Sequence, residues 1–274
     1  MEYAILGNGY VGGYLAKALP DAILLCRGRI TQEEQIEEIL DSYQDAILIN
    51  CMGKTGRPNV DWCESHKMET FEGNVTLPIM IAEVCKAQNR NWIHIGSGCV
   101  YTGYEKEWTE EDVPNFLGSF YSQTKAWSQY MLKDYSNALV LRIRMPIDED
   151  LQERCYISKI VKYAKAGNKM FDMLNSMTIL SDLAKAIEFL TEKGLTGEYN
   201  VVNKEPMVIS NIFDLYKKLV DPSLKYEMAS YEEVRKTMVA DRSNCVLSTS
   251  KLEKAGFEMS SAYMGLQRIM GIVE

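Results

Sequence analysis

The sequence predicts an α/β fold: a doubly wound parallel sheet with a smaller C-terminal lobe. Three observations carry this reading. Short apolar runs of strand length alternate with helical stretches through the first half. The runs lack a polar alternation, as expected of strands covered on both faces. A glycine-rich turn joins the first run to the first helix. Strands are expected at Tyr3–Leu6, Ala22–Cys26, Ala46–Cys51, Trp92–Gly96 and Ala138–Ile143. Helices are expected between them at Tyr10–Leu19, Gln32–Asp41, Glu72–Gln88 and Tyr121–Asp134. The second half reads as a basic helix at Glu153–Gly167, an amphipathic helix at Ser181–Glu192 and a strand at Glu198–Asn203. Two further helices are expected at Ile209–Val220 and Tyr231–Val239. With no linker-like tract in view, two closely packed lobes with a cleft between them follow. Residues 1–146, with a return segment at about 178–203, form the first, and 147–177 with 204–274 the second.

Composition narrows the function. The 274 residues include 30 Lys and Arg against 38 Asp and Glu, a formal net charge of -8. That balance argues against a nucleic-acid or anionic-membrane surface, either of which needs a basic face. No apolar run approaches the ~18–20 residues of a membrane span, and the N-terminal run reads as a strand rather than a signal peptide. Seven cysteines are scattered without a CxxC pair, and only His66 and His94 could add imidazole. Neither a disulfide framework nor a metal site is expected, and a reducing cytoplasm fits. His94, inside an apolar strand, reads as a satisfied core residue, and His66 as ordering a loop. The acidic run Glu105–Asp112 reads as a solvated loop or helix start.

Gly7-Asn8-Gly9-Tyr10-Val11-Gly12-Gly13 follows the first strand and opens the first helix. Gly7 permits the tight turn, Gly9 lets backbone approach a pyrophosphate, and Gly12 lets helix pack on strand. The N–H groups of Tyr10 and Val11 belong to the helix terminus that faces the phosphates. A bound dinucleotide is the expectation. After the second strand stands Cys26-Arg27-Gly28-Arg29, with no acidic residue for a ribose 2′-hydroxyl. Arg27 and Arg29 favour the 2′-phosphate of NADP(H).

Tyr121-Ser122-Gln123-Thr124-Lys125 places phenol and ammonium on one helix face, where the lysine is expected to favour phenolate. Ser97 lies just past the fourth strand, and Asn50 and Asn74 follow the third. In this order the residues resemble the extended branch of the short-chain dehydrogenase/reductase superfamily, a Rossmann fold. The resemblance implies that Asn50, Cys51 and Gly53, with Met145 and Pro146 after the fifth strand, border the cofactor.

Longer strings make the resemblance narrower. They are Thr55 through Lys67, Gly118 through Ser122, Leu141 through Ile147, Asn175 through Leu180, and Arg242-Ser243-Asn244. Together they resemble the bifunctional UDP-4-keto-6-deoxyglucose 3,5-epimerase/4-reductases of UDP-L-rhamnose synthesis, relatives of dTDP-4-dehydrorhamnose reductase. The glycine loop is one residue shorter than that family's, and the segment between Cys99 and Tyr121 is shortened. The resemblance implies reduction at C4 by Ser97, Tyr121 and Lys125, and epimerisation at C3 and C5 by Cys99 and Lys159. On residues alone, Cys99 reads as a small buried hydrophobe and Lys159 as a solvated helix lysine. Arg57 and Arg242 are candidates for the substrate diphosphate, with Asn59 beside them. Asn175 either contacts the substrate or caps a turn, and Arg144 either contacts it or is structural. The implied substrate is UDP-4-keto-6-deoxyglucose, the product of a 4,6-dehydratase, and a homodimer is a possible assembly. Two other readings remain: a plain 4-ketosugar reductase, and a non-catalytic nucleotide-binding subunit such as the regulatory subunit of methionine adenosyltransferase.

Overall fold

The computed structural model describes residues 1–25 and 28–271. β1 (Tyr3–Leu6) runs into α1 (Tyr10–Ala18) and returns as β2 (Ala22–Leu25), and α2 (Glu34–Ser42) leads to β3 (Ile47–Asn50). Two short helices, α3 (Trp62–Ser65) and α4 (Lys67–Phe71), enter a π-helical turn at Glu72–Thr76 that continues as α5 (Leu77–Ala87). β4 (Trp92–Ser97), β5 (Gly103–Trp108), α6 (Phe120–Leu132) and β6 (Ala138–Ile143) complete the first half. The second half holds β7 (Pro146–Ile147), α7 (Tyr156–Lys165), β8 (Thr178–Ile179), α8 (Leu180–Glu192) and β9 (Gly197–Asn200). It ends with α9 (Ile209–Leu219), α10 (Tyr231–Arg235), β10 (Cys245–Leu247), α11 (Ser250–Ala255) and α12 (Ala262–Gly271).

The main sheet has six parallel strands in the order β2-β1-β3-β4-β6-β9. Successive strand residues supply opposite faces. Tyr3, Ile5, Ile49, Ile93 and Leu141 pack with α1 and α8. Ala4, Leu6, Leu48, Trp92 and Val140 pack with α2 and α5. This is why the strands read as continuous apolar runs. The strand order reverses between β1 and β3, which opens a crevice at their carboxyl ends. A second core joins α7, α9 and α12 through Ile157, Ile160, Phe213, Leu266 and Ile269. No helix among the described residues is long and apolar enough to cross a membrane.

The structure corrects two expectations. Glu105–Asp112 is not a loop or helix start: Gly103–Trp108 is a strand, paired in parallel with β10. Trp108 anchors it by stacking on Tyr101 at 5.1 Å, while Glu105 to Glu107 stay in solvent on an exposed edge. The helix expected over Glu72–Gln88 is not uniform. A π turn occupies Glu72–Thr76, where buried Asn74 bonds outside its own helix. Residues 240–274 carried no expected element, yet they hold β10, α11 and α12.

A buried ion pair braces the sheet beneath the site. Arg142 Nη2 donates to Glu198 Oε2 at 2.7 Å and Arg142 Nε to Gln129 Oε1 at 3.1 Å. Gln129 Nε2 in turn donates to the Ser97 carbonyl at 2.7 Å. Glu198→Ala leaves a guanidinium of 0% exposure without its buried carboxylate. We expect a loss of about 3–5 kcal/mol, read as a lower denaturant midpoint at unchanged slope.

Candidate active site

The turn after β1 is a cradle. Gly7 has φ +102°, and a Cβ there would lie 2.9 Å from Met52 Cγ. A Cβ on Gly12 would lie 2.0 Å from the Gly7 carbonyl oxygen, so only glycine lets α1 sit this close to the turn. A Cβ on Gly9 meets nothing within 4 Å: that side is open. Gly9 is the N-cap of α1, and the first turn carries no acidic residue. The N–H groups of Tyr10, Val11 and Gly12 therefore stand at an open, positive helix end. A dinucleotide pyrophosphate fits this cradle. Tyr10 reaches across to the Pro146 carbonyl at 3.5 Å. Met145 beside it has φ +42°, a backbone conformation typical of residues held for function.

The turn after β3 forms the second wall. Asn50 is wholly buried. Its Oδ1 accepts from the Met52 N–H at 3.0 Å and its Nδ2 donates to His94 Nδ1 at 3.2 Å. It shapes the turn rather than lying open to a ligand. Asn74 accepts from the Lys54 N–H at 2.7 Å and donates to the Lys54 carbonyl and to Thr124 Oγ1. It thereby ties this turn to α6. Gly53 lies exposed, and a Cβ there would come within 3.5 Å of Lys125 Nζ. Burial pushes the Cys51 thiol up to about 12, against the pull of Lys125. His94 is half satisfied: burial and Lys125 keep it neutral, and its Nε2 has no partner among the described residues. His66 stacks on Trp62 at 3.9 Å, ordering its loop.

The chemistry-bearing residues meet at the carboxyl end of β4. The Cys99 N–H donates to Ser97 Oγ at 3.1 Å, leaving the Ser97 O–H free to donate elsewhere. Ser119 caps α6 by accepting from the Ser122 N–H at 3.1 Å. The Glu64 carboxylate accepts from the Phe120 N–H at 2.6 Å. These caps fix the turn that carries Tyr121. The expectation that Lys125 makes Tyr121 a phenolate is corrected. Burial first, then the neighbouring Cys99, holds the phenol above its ordinary value, and Ser97 pulls only partly back. Tyr121 thus carries its proton at neutral pH. Burial lowers Lys125 itself to about 8.

A cavity of about 690 Å³ opens here, lined among others by Cys99, Tyr121, Met145, Tyr156, Asn175, Asp61 and Arg242. Arg144 lies beneath it, 1% exposed. Arg144 Nη1 donates to the Gly98 carbonyl and to Ser243 Oγ, both at 2.9 Å, and Nη2 donates to Asn175 Oδ1. Arg144 and Asn175 are thus structural partners, with Asn175 also on the cavity wall. Arg242 Nη1 donates to Asp61 Oδ1 at 2.8 Å. Asn59 Nδ2 donates to Tyr163 Oη at 3.3 Å.

Not every expected residue joins this group. Lys159 is half-buried on α7 beside the cavity-facing Tyr156, Ile160 and Tyr163, but does not line the cavity. Burial, with Arg154 and Arg242 nearby, lowers its ammonium. Arg57 is exposed near Arg154 and does not line the cavity either. Arg29 is exposed and paired with Glu72. Arg27 lies outside the described residues. Sequence reasoning missed Tyr156, Tyr163, Asp61 and Glu64. The spacing 156, 160 and 163 marks one helix face and was available as a signal.

The chain resembles known proteins along nearly its whole length. It is 38% identical over 272 residues to an Arabidopsis thaliana protein named bifunctional dTDP-4-dehydrorhamnose 3,5-epimerase/dTDP-4-dehydrorhamnose reductase, covering 95% of this chain and 89% of that one. It is 36% identical to the trifunctional UDP-glucose 4,6-dehydratase/UDP-4-keto-6-deoxy-D-glucose 3,5-epimerase/UDP-4-keto-L-rhamnose-reductase RHM1 of the same plant, spanning 40% of that protein's length. The crystal structure of the L780 UDP-rhamnose synthase from Acanthamoeba polyphaga mimivirus superposes with a TM-score of 0.91 at 28% identity, covering 99% of both chains. Residues 6–271 match the RmlD substrate binding domain, and the chain belongs to that family.

Proposed function

We propose that this chain is an NADPH-dependent 4-ketosugar reductase that also inverts C3 and C5, converting UDP-4-keto-6-deoxyglucose to UDP-L-rhamnose. The observation that carries this is the shared cavity of Tyr121 and Cys99, whose Met145 wall adjoins the Pro146 carbonyl reached by Tyr10 from the glycine turn. The names of the plant and viral relatives support the substrate class.

NADPH, when bound, supplies the hydride that reduces C4. The cradle of Gly7, Gly9 and Gly12 holds its pyrophosphate, and Lys125 its nicotinamide ribose. Arg27 and Arg29 are the candidates for its 2′-phosphate. Ser97 donates a hydrogen bond to the substrate O4, and Tyr121 delivers the proton that O4 needs as hydride arrives. Before reduction the 4-keto group acidifies the hydrogens at C3 and C5. Cys99 takes a proton there, with Lys159 as its expected partner. Arg242, held at the cavity wall by Asp61, retains N–H donors for a diphosphate oxygen. A plain 4-ketosugar reductase is the second reading, and the position of Lys159 outside the cavity wall favours it.

Three outcomes test these roles. Tyr121→Phe keeps the ring but loses the acid. NADPH oxidation should fall about 10²–10⁴-fold, while NADPH binding followed by fluorescence persists.

Lys125→Met should lose turnover and yet stabilise the ligand-free protein. With the folded value near 8 and the ordinary one at 10.5, the unfolded chain holds the extra proton between those limits. Native stability therefore rises with pH across that window. The variant should lack this slope and gain up to about 3 kcal/mol at pH 7, measured by urea unfolding from pH 7 to 10.

Cys99→Ser and Lys159→Ala should slow deuterium incorporation at C3 or C5 in heavy water far more than reduction of a pre-epimerised 4-keto-rhamnose substrate. NMR reads the exchange. Wild-type enzyme that exchanges at neither carbon leaves the plain reductase standing.

A further inference from the structure

We propose that the one-turn helix α3 sets the span between the diphosphate contact and the proton donor: Asp61 at its start is the positioning residue of Arg242, and Glu64 within it is that of Tyr121. The proposal rests on the 4-ketosugar reductase reading above and is independent of the epimerase one.

The Arg242 end comes first. Asp61 Oδ1 accepts from Arg242 Nη1 at 2.8 Å and from the Ala240 N–H at 3.0 Å. Arg242 Nη1 also donates to the Ala240 carbonyl at 2.7 Å. Both bonds of the guanidinium thus fall on one nitrogen. Among the described residues no hydrogen bond engages Nε or Nη2. Those two nitrogens form the planar two-donor edge that matches a pair of phosphate oxygens. Asp61 and Arg242 both line the cavity. A carboxylate on the wall of an anion site would repel the ligand unless its charge is taken up, and here it is. Burial would raise the Asp61 carboxyl, but Arg242 and the N–H groups of Ala240 and Val239 hold it below its ordinary value. Asp61 therefore fixes the back of the guanidinium and leaves its free edge for the diphosphate. A side chain already held in this way loses less freedom when the ligand arrives.

The other end meets the proton donor. Three residues after Asp61, about 4.5 Å along a helix axis, Glu64 Oε1 accepts from the Phe120 N–H at 2.6 Å. Phe120 is the first residue of α6, and Tyr121 is the next. The first-turn N–H groups of a helix have no partner within it. Ser119 takes the one from Ser122, and Glu64 takes the one beside Tyr121 from a distant element. The turn between the two carboxylates is braced. Trp62 stacks on His66 at 3.9 Å, and Cys63 is wholly buried. A single chain of contacts therefore runs from Arg242 through Asp61, α3, Glu64 and Phe120 to Tyr121.

The two ends predict opposite kinetic signatures. Reduction of UDP-4-keto-rhamnose by NADPH and binding of UDP by calorimetry are measured on the same preparations, and NADPH binding confirms that each variant is folded. Asp61→Asn keeps the shape and removes the charge. KM and the UDP Kd should rise together by about 10–100-fold, the range of a lost hydrogen bond to a charged group, with kcat nearly unchanged. Glu64→Ala should do the reverse. Its kcat should fall about 10–100-fold, as misplacing a reacting group does, at an unchanged UDP Kd. Glu64→Gln, whose amide oxygen can accept the same N–H, should recover kcat. Arg242→Lys keeps a charge beside Asp61 without a two-donor edge, so it should weaken UDP binding as Asp61→Asn does. Combining the two should cost little more than either alone, because both act on one contact. An unchanged UDP Kd in Asp61→Asn or Arg242→Lys overturns the proposal, as do losses that multiply in the pair. So does a Glu64→Ala variant with wild-type kcat, or a Glu64→Gln variant as slow as Glu64→Ala. If the wild-type protein binds UDP but reduces no 4-ketosugar, the reductase reading fails, and that result comes from the wild type alone.

Discussion

Two cations buried at the carboxyl edge of the sheet set the terms for the site. Lys125 is 4% exposed and Arg144 1%. Lys125 has only the Cys51 and Cys99 thiols as opposing groups. Arg144 is held by carbonyl, amide and hydroxyl oxygens. Among the described residues neither makes an ion pair. Burying a charge without a counter-charge costs free energy, which a fold tolerates where a ligand supplies the missing negative charge. The contrast with Arg142 and Arg242 is direct, since each meets a carboxylate. A chain of net charge -8 therefore holds an electropositive floor at this edge of the sheet.

The scaffold keeps that floor in register with the chemistry above it. α6 carries both Tyr121 and Lys125, so its start and its lateral position must be fixed together. Ser119 and Glu64 fix the start. Asn74, through Thr124, fixes the lateral position and at the same time sets the turn that holds Gly53 over the lysine. The π turn is what lets Asn74 point there. Regular α geometry would engage the backbone at this point differently, so the local irregularity serves the site. At the far side, Gly98 has no side chain because a Cβ would lie 2.4 Å from Leu247 and 2.9 Å from Arg144 Cγ. The Ser97–Gly98–Cys99 turn thus rests directly on the guanidinium.

Much of this was legible in the residue order. Strands covered on both faces show as unbroken apolar runs, and the glycine turn shows by residue type because positive φ and backbone contact exclude side chains. Tyr121 and Lys125 show by spacing alone. What did not show depends on distant partners. β5 and β10 are three-dimensional neighbours separated by half of the chain, and β5 has charges where an apolar alternation would identify a strand. α12 contains Gly265, which weakens its helical signature, yet a Cβ there would lie 2.2 Å from Ile179. The rise in the Tyr121 value was hidden for a similar reason. Spacing puts a lysine on the same helix face, but does not show that burial and Cys99 outweigh the downward pull of Ser97 on the phenol.

Under the function proposed above, the placement of proton-handling groups follows from the geometry of the sugar. C3 and C5 flank C4, so a residue that reaches O4 cannot by itself serve both sides of the ring. The sheet edge offers Ser97 at the end of β4, Cys99 in the turn after it and Tyr121 at the start of α6. α7 presents Tyr156, Ile160 and Tyr163 to the cavity, and α10 presents Glu233 and Val234. The cavity floor is held by one buried side chain. Arg144 spans it, bonded to Gly98 under the thiol, to Asn175 ahead of β8, and to Ser243 on the loop that carries Arg242. One guanidinium thus connects the turn that carries Cys99, the cavity wall at Asn175 and the loop that carries Arg242. A shift in any of them would strain the same hydrogen bonds, so one buried side chain keeps all three in register.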